Sequence, residues 1–98
     1  MTDKELYGGL IRLHILHHST EEPIFGLGII EELRRHGYEL SAGTLYPMLH
    51  GLDKKGYLTS HHERTGRRVY EITEQGQIAL VEARAKVKEL FGELIEGC

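Results

Sequence analysis

The chain has 98 residues, the length of one domain, and its composition of 40% hydrophobic and 28% charged residues excludes a disordered chain. Its net charge of −3 speaks against the basic domain that is usual for nucleic-acid binding. It has no apolar run near the ~18 residues of a membrane span and no signal-peptide pattern. With Cys98 as its single cysteine, we expect a cytoplasmic protein without a membrane partner or an intramolecular disulfide.

Apolar residues recur every three or four positions over residues 3–18, which predicts a first amphipathic helix. Pro23 lies in the break that follows, because the residue before a proline avoids the helical region. A second helix is predicted from Ile24 or Phe25 to Arg35, closed by Gly37 in a left-handed cap. The predicted buried stripe of this helix is Leu27, Ile30 and Leu33.

Ser41 is predicted to cap a third helix that runs to about residue 56. The period then changes, and residues 57–63 and 67–72 around a glycine-containing connection predict a β-hairpin. Tyr70 is expected to face the core, and Thr73 is predicted to cap a last helix that runs to about residue 96. The predicted buried residues of the third helix are Leu45, Leu49 and Leu52.

A first helix, then two helices joined by a tight turn, then a hairpin, form a winged helix-turn-helix arrangement. We therefore predict a fold that is mainly α with a small β-hairpin and a long C-terminal dimerisation helix. Residues 1–73 are assigned to the DNA-binding part and residues 74–98 to the dimerisation helix of the same compact domain.

Charge is distributed unevenly along the sequence. Residues 1–33 and 69–98 carry net charges of −4 and −3, whereas residues 34–68 carry +4 and four histidines. Because this basic segment coincides with the predicted third helix and hairpin, it predicts a cationic face on an otherwise acidic molecule. The alternative interpretation is a solvated basic surface without a partner.

The basic segment also carries side chains suited to DNA. Hydroxyls and an imidazole on the third helix suit phosphate oxygens and groove edges, and the arginines at the hairpin tip are expected to repel each other without a polyanion. Alternatively, Tyr46 and Pro47 only shape the helix start, and the lysines form a solvated helix end. The residues predicted from this pattern to contact DNA are Ser41, Thr44, Tyr46, Pro47, His50, Lys54, Lys55, Arg64, Arg67 and Arg68.

The last helix carries more apolar surface than a chain of this length covers easily. Residues at seven-residue spacing form a coiled-coil-like seam, which predicts a homodimer. A second stripe of Ile78, Val81 and Ala85 is expected to pack on the domain's own core; the alternative is one wide core-facing stripe. The predicted seam consists of Leu80, Ala83, Val87, Leu90 and Leu94.

Two motifs in combination resemble the PadR family of bacterial transcriptional regulators. They are Ser41-Ala42-Gly43-Thr44-Leu45-Tyr46-Pro47 at the start of the third helix and Gly66-Arg67-Arg68-Val69-Tyr70-Glu71-Ile72-Thr73 in the hairpin. The similarity covers about residues 10–76, and the last helix by position only. Phe25-Gly26-Leu27 stands where the family usually has His-Gly-Tyr, so any DNA contact by that tyrosine is lost or moved.

The resemblance implies a cytoplasmic homodimeric repressor that binds a palindromic operator in double-stranded DNA. The chain looks like the short branch of the family, which dimerises through its last and first helices, so Leu6 and Leu10 join the predicted seam. Some short members bind flat aromatic drugs between tryptophans, and this chain has no tryptophan. The implied DNA-contacting residues are Ser41, Gly43, Thr44, Tyr46, Pro47, Arg67 and Arg68.

Three alternative functions remain. His14 and His18, one helical turn apart with His17 adjacent, could hold a metal, although structural histidines are favoured and we assign no metal ligand and no cofactor. A small-molecule effector could bind at the dimer centre, or the winged helix could serve only protein contacts. The wing arginines speak against the protein-contact alternative. Because the sequence contains no G-x-S-x-G, P-loop or H-E-x-x-H motif, we do not expect an enzyme.

Overall fold

The computed structural model describes residues 2–97, so Cys98 lies outside the described residues. The described part contains four helices, α1 (Lys4–Glu21), α2 (Gly26–Arg35), α3 (Ala42–Lys54) and α4 (Glu74–Leu94). Its three strands are β1 (Ile24–Phe25), β2 (Leu58–His62) and β3 (Arg68–Ile72). The predicted mainly helical fold with a β-hairpin and a long last helix is confirmed. None of the described helices has the length and apolar character needed to span a membrane.

Short polar side chains set the starts of three helices. The Asp3 carboxylate accepts the backbone N–H of Glu5 at 3.2 Å and begins α1. Ser41 Oγ accepts the N–H of Thr44 at 3.3 Å and begins α3, and Thr73 Oγ1 accepts a backbone N–H at 3.0 Å and begins α4. Each cap satisfies an otherwise unpaired donor and stabilises the helix by about 1 kcal/mol. The predicted caps Ser41 and Thr73 are confirmed.

The sheet contains a strand that the sequence did not predict. Ile24 and Phe25, expected to begin the second helix, form β1 and pair antiparallel with β3 opposite Tyr70 and Val69. The strand order is β1-β3-β2, so β3 is central and both of its edges are paired. A two-residue segment is too short to show the alternation that reveals a strand in a sequence. The strand forms because β3 supplies hydrogen-bond partners for its backbone.

The core lies where the first three helices meet the sheet. Tyr70 is buried, as predicted, and so are the three leucines predicted for α3. The predicted stripe of α2 is wrong in part, because Leu27 is 67% exposed while Ile29 is buried. Because Ile24 and Phe25 form β1, the helix begins at Gly26. Its buried residues are then Gly26, Ile29 and Leu33. The buried core cluster comprises Ile11, Ile15, Leu16, Ile24, Ile29, Leu33, Leu45, Met48, Leu49, Leu52, Leu58, Tyr70 and Leu80.

Helix α4 joins this core only near its start. Leu80, predicted to lie in the dimer seam, is buried in the chain's own core cluster. Ile78 and Val81, predicted to pack on the core, are 53% and 63% exposed. In the first half of α4, the core therefore covers a residue of the predicted seam and leaves the predicted core-facing stripe exposed. Periodicity defines the apolar faces of a helix, but the crossing of α4 over α1 decides which face is covered.

Candidate nucleic-acid interface

Helix α3 buries one face and leaves the other in solvent. Its leucines and Met48 point into the core, and Gly37, with φ of +91°, allows the tight turn that leads from α2 to α3. The hydroxyls of Ser41 and Thr44 lie 3.3 Å apart at the helix start. Thr44 is half-buried. The exposed residues of the predicted contact set at the cap and along α3 are Ser41, Gly43, Tyr46, Pro47, His50 and Lys54.

Tyr46 packs across the beginning of α2. A Cβ atom on Gly26 would overlap the Tyr46 hydroxyl and the adjoining ring atoms, so only glycine fits beneath this ring. The ring is nevertheless 42% exposed. Tyr46 therefore positions α3 on α2 and still presents part of its ring to solvent.

Pro47 lies inside α3 without ending it, because the helix continues to Lys54. Proline has no N–H to donate to the carbonyl four residues earlier, which belongs to Gly43. Gly43 and Pro47 are both exposed. The Gly43 carbonyl therefore receives no hydrogen bond from residue 47.

Arg67 is held in place on the wing, the hairpin formed by β2, β3 and their connection. Its Nε donates to Glu63 Oε1 at 2.9 Å, and its Nη2 lies 2.8 Å from the same oxygen. Its guanidinium carbon lies 3.9 Å from the centre of the Phe25 ring. The cation–π contact and the ion pair fix the direction of a side chain that remains 49% exposed.

Arg68 connects the wing to the end of α3. It donates to Ser60 Oγ at 2.9 Å, Ser60 donates to Asp53 Oδ2 at 2.7 Å, and Arg68 Nη2 lies 3.7 Å from that oxygen. The expectation that the wing arginines repel each other without a polyanion is wrong for Arg67 and Arg68, because each has a carboxylate of its own chain. Arg64, exposed at the tip, has no ion pair among the described residues.

These contacts join α3, the start of α2 and the wing into one surface. Tyr46 covers Gly26, the neighbouring Phe25 lies under Arg67, and Arg68 reaches Asp53 at the other end of α3. Lys54 at the end of α3 and Lys55 directly after it extend the surface, and both are exposed. Sequence reasoning missed Gly26, Phe25, Asp53 and Ser60 as supporting residues. The available signals were the position of Phe25-Gly26 in the family motif and the carboxylate of Asp53 beside the two lysines.

An exposed apolar surface runs along α1 and the last half of α4. The two helices border an apolar groove of about 470 Å³, lined by Leu10, Ala83, Val87 and Phe91 among others. Ala83 is half-buried. Apart from Leu80, the larger residues of the predicted seam are exposed: Leu6 69%, Leu10 41%, Val87 43%, Leu90 43% and Leu94 69%.

His14 and His18, which the sequence offered as possible metal ligands, form a cluster with a third histidine, His36. His14 and His18 on α1 meet His36, which follows α2, and one ring nitrogen from each lies within 4.8 Å of the others. Burial, then the neighbouring imidazoles of His36, His18 and His17, lower the pKa of His14, so its neutral form is favoured. His36 was not predicted, because the pairing of α1 with the end of α2 is a tertiary contact.

Comparison with known proteins identifies the family. The transcriptional regulator PadR-like family matches residues 15–82. The chain is 42% identical over 97 residues to the transcriptional regulator Rv3488 of Mycobacterium tuberculosis, covering 96% of this chain and 91% of that protein.

Solved structures of similar fold include regulators from two other bacteria. The PadR family regulator from Eggerthella lenta superposes with a TM-score of 0.81 at 32% identity, over 94% of this chain and 87% of that one. The PadR-like factor from Bacteroides fragilis gives a TM-score of 0.80 at 26% identity, over 97% and 96%. Members of this family are transcriptional regulators rather than enzymes. The chain belongs to the PadR-like family of transcriptional regulators, and its fold is their winged helix.

Proposed function

We propose that the protein is a homodimeric repressor that binds a two-fold-symmetric operator in double-stranded DNA. Helix α3 lies in the major groove, and the wing follows the adjacent phosphate backbone. The observation that carries this proposal is the continuous surface from Tyr46 over Gly26 and Phe25 to Arg67. It combines an exposed helix face with the basic segment of a chain whose remaining segments are acidic.

The residues divide into two roles by their chemistry. Ser41, Thr44, Tyr46 and His50 offer hydroxyl and imidazole groups to base edges and nearby phosphates, and Gly43 and Pro47 allow close approach of the backbone. The cations position the protein by neutralising phosphates, which carries no sequence information itself. The proposed phosphate-contacting residues are Lys54, Lys55, Arg64, Arg67 and Arg68.

The internal partners of the wing arginines support this role. An arginine has five N–H donors, and Arg67 directs its Nε and Nη2 toward Glu63. Donors remain for a phosphate oxygen, while the ion pair and the Phe25 ring keep the guanidinium oriented before DNA arrives. A pre-oriented cation loses less conformational entropy on binding than a free one.

Dimerisation is supported by the apolar face of α1 and α4. A second protomer would cover the exposed seam residues and place two copies of α3 on half-sites about 34–36 Å apart. Leu80 contributes indirectly, since it holds α4 on the core of its own chain. The proposed seam is therefore Leu6, Leu10, Ala83, Val87, Leu90 and Leu94.

Selection of binding sites from random duplexes tests the DNA-binding proposal directly. We expect an enriched sequence with two inverted half-sites about one helical turn apart, bound with an affinity that falls steeply with salt. In the double variant Arg67→Ala/Arg68→Ala, the slope of log K against log[salt] should decrease by about 4, because the dimer loses two phosphate contacts in each protomer. Lys86→Ala on α4 should leave the slope unchanged. Recovery of no preferred sequence, or an unchanged slope in the wing variant, contradicts the proposal.

Repression is tested separately by transcription in vitro. A promoter that overlaps the selected site should lose transcript as the protein is added, and the same promoter with one half-site scrambled should not. An increase in transcript would identify an activator instead.

The groove between α1 and α4 favours a second role, the binding of an apolar effector. In a dimer the two grooves would adjoin at its centre, and Arg84 and Lys88 in the lining suit an aromatic anion. The probe 8-anilinonaphthalene-1-sulfonate should bind the dimer saturably, and Phe91→Ala should weaken it without changing the sedimentation of the dimer. Equal binding by that variant would reject the groove as an effector site.

A further inference from the structure

The cluster of His14, His18 and His36 has the composition of a metal site rather than of ordinary packing. The His14 and His36 ring centres lie 4.7 Å apart, and the His18 and His36 ring centres lie 5.3 Å apart. His14 stacks on both His18 and His36, and the rings of His18 and His36 are tilted by 34°. Imidazole nitrogen is a common ligand of zinc, copper, nickel and cobalt.

One of these rings carries a buried nitrogen without a partner. Among the described residues, His18 Nε2 is the buried side-chain polar atom that makes no hydrogen bond. On the other side of the ring, Nδ1 lies 3.3 Å from Glu21 Oε1 and 3.7 Å from Glu32 Oε1. A proton on Nδ1 that points to these carboxylates leaves the lone pair on Nε2, which is the form that binds a metal.

Glu32 supports two of the three rings. Its Oε1 lies 3.7 Å from His18 Nδ1 and 3.6 Å from His36 Nε2, while its Oε2 is held by Arg35 at 2.8 Å. Hydrogen bonds from metal-bound histidines to a carboxylate orient the rings and raise their basicity. The geometry leaves His36 Nδ1 and His18 Nε2 free for the ion.

We propose that His14, His18 and His36 bind one divalent first-row transition metal ion, with Glu32 orienting the rings of His18 and His36. One ring nitrogen of each histidine lies within 4.8 Å of the others, and binding would require the rings to rotate to the closer spacing of a tetrahedral Zn²⁺ site. His14 lines the groove beside α4, and His18 and Glu32 line a second cavity of about 330 Å³, so an ion can reach the cluster.

The ion would link α1 to the C-terminal end of α2. His14 and His18 lie on α1, and His36 ends α2 immediately before the turn that leads to α3. Because the ligands come together only in the folded chain, binding stabilises the native state by an amount that rises with the logarithm of the free ion concentration above Kd. This proposal concerns metal binding and does not depend on DNA binding.

Calorimetric titration of the full chain, free of any polyhistidine tag, with Zn²⁺ tests the site. We expect one ion per chain at micromolar or lower concentration. His36→Gln, the variant least able to disturb the core because this ring is 41% exposed, should weaken binding at least about 10-fold. His17→Gln, on α1 next to His18, and Cys98→Ser should bind Zn²⁺ as the wild type does. Absence of heat at micromolar Zn²⁺, or equal loss in His17→Gln or Cys98→Ser, overturns the proposal.

Two further measurements separate ligation from a structural effect. Glu32→Gln should lower the affinity for Zn²⁺ about 10–100-fold, whereas Glu31→Gln, which loses only the ion pair with Arg34, should not. Zn²⁺ should raise the midpoint of thermal unfolding of the wild type and of His17→Gln but not of His36→Gln. Bound Co²⁺ should show the intense visible absorption of a four-coordinate site. Six-coordinate absorption like that of the aqueous ion would contradict the tetrahedral geometry.

Discussion

Helices α3 and α4 both carry apolar residues at spacings of three, four and seven, yet they meet different surroundings. In α3, Leu45 and Leu49 are fully buried and Leu52 is 4% exposed. In α4, Val87 and Leu90 are each 43% exposed, because residues 2–97 supply no further layer over the last half of the helix. The same pattern completes a core in one helix and leaves a surface for a partner in the other.

The largest effect is expected in α3. Leu49→Ala leaves a cavity in the core and should lower the free energy of unfolding by about 2–5 kcal/mol. Because the loss lies within one chain, denaturant titrations should give the same difference from the wild type at every protein concentration. A difference that disappears on dilution would mean that α3 is stabilised by a partner instead.

The corresponding change in α4 should act on association. Leu90→Glu places a charge in the proposed seam and should raise the dimer dissociation constant at least about 30-fold, equivalent to about 2 kcal/mol. Sedimentation should show monomers, and circular dichroism should show an unchanged helix content. Ala85→Glu introduces the same charge at an exposed position outside the seam and should remain dimeric. If both variants stay dimeric, α4 does not provide the interface.

The packing of α3 on α2 can be tested at the contact between Tyr46 and Gly26. Gly26→Ala forces the new Cβ into Tyr46 and should cost about 1–3 kcal/mol of stability. Tyr46→Ala should remove most of this cost in the double variant, a strong departure from additivity. Gly51→Ala is the control, since a Cβ on Gly51 meets no atom within 4 Å and should stabilise α3 by about 0.5–1 kcal/mol.

The smallest effect concerns the cap of α3. Ser41→Ala removes the hydrogen bond to the Thr44 N–H and should cost about 1 kcal/mol. Ser41→Asp keeps a capping oxygen and should retain the stability, but it places a negative charge on the proposed DNA face. Unfolding and DNA-binding curves should therefore separate: stability falls in the alanine variant and operator affinity falls most in the aspartate variant. Equal operator affinity in wild type and aspartate variant would place Ser41 away from DNA.

Local rules determined much of this protein from sequence alone. The caps Ser41 and Thr73, the turn glycine Gly37 and the buried leucines of α3 each depend on residues within a few positions of one another. The hairpin that forms the wing follows from a change of period around a glycine at residue 66, which has a φ of +86°. The motifs at residues 41–47 and 66–73 pointed to the family that the comparisons then established.

Only the tertiary structure decided which surfaces meet. It turned Ile24 and Phe25 into a strand, because β3 had an unpaired edge, and it buried Leu80 where α4 crosses α1. It also placed His36 beside His14 and gave Arg67 and Arg68 carboxylates of their own chain. Hydrogen-bond and apolar periodicities along a chain are local properties, whereas coverage of a face and pairing of distant charges depend on how the elements pack.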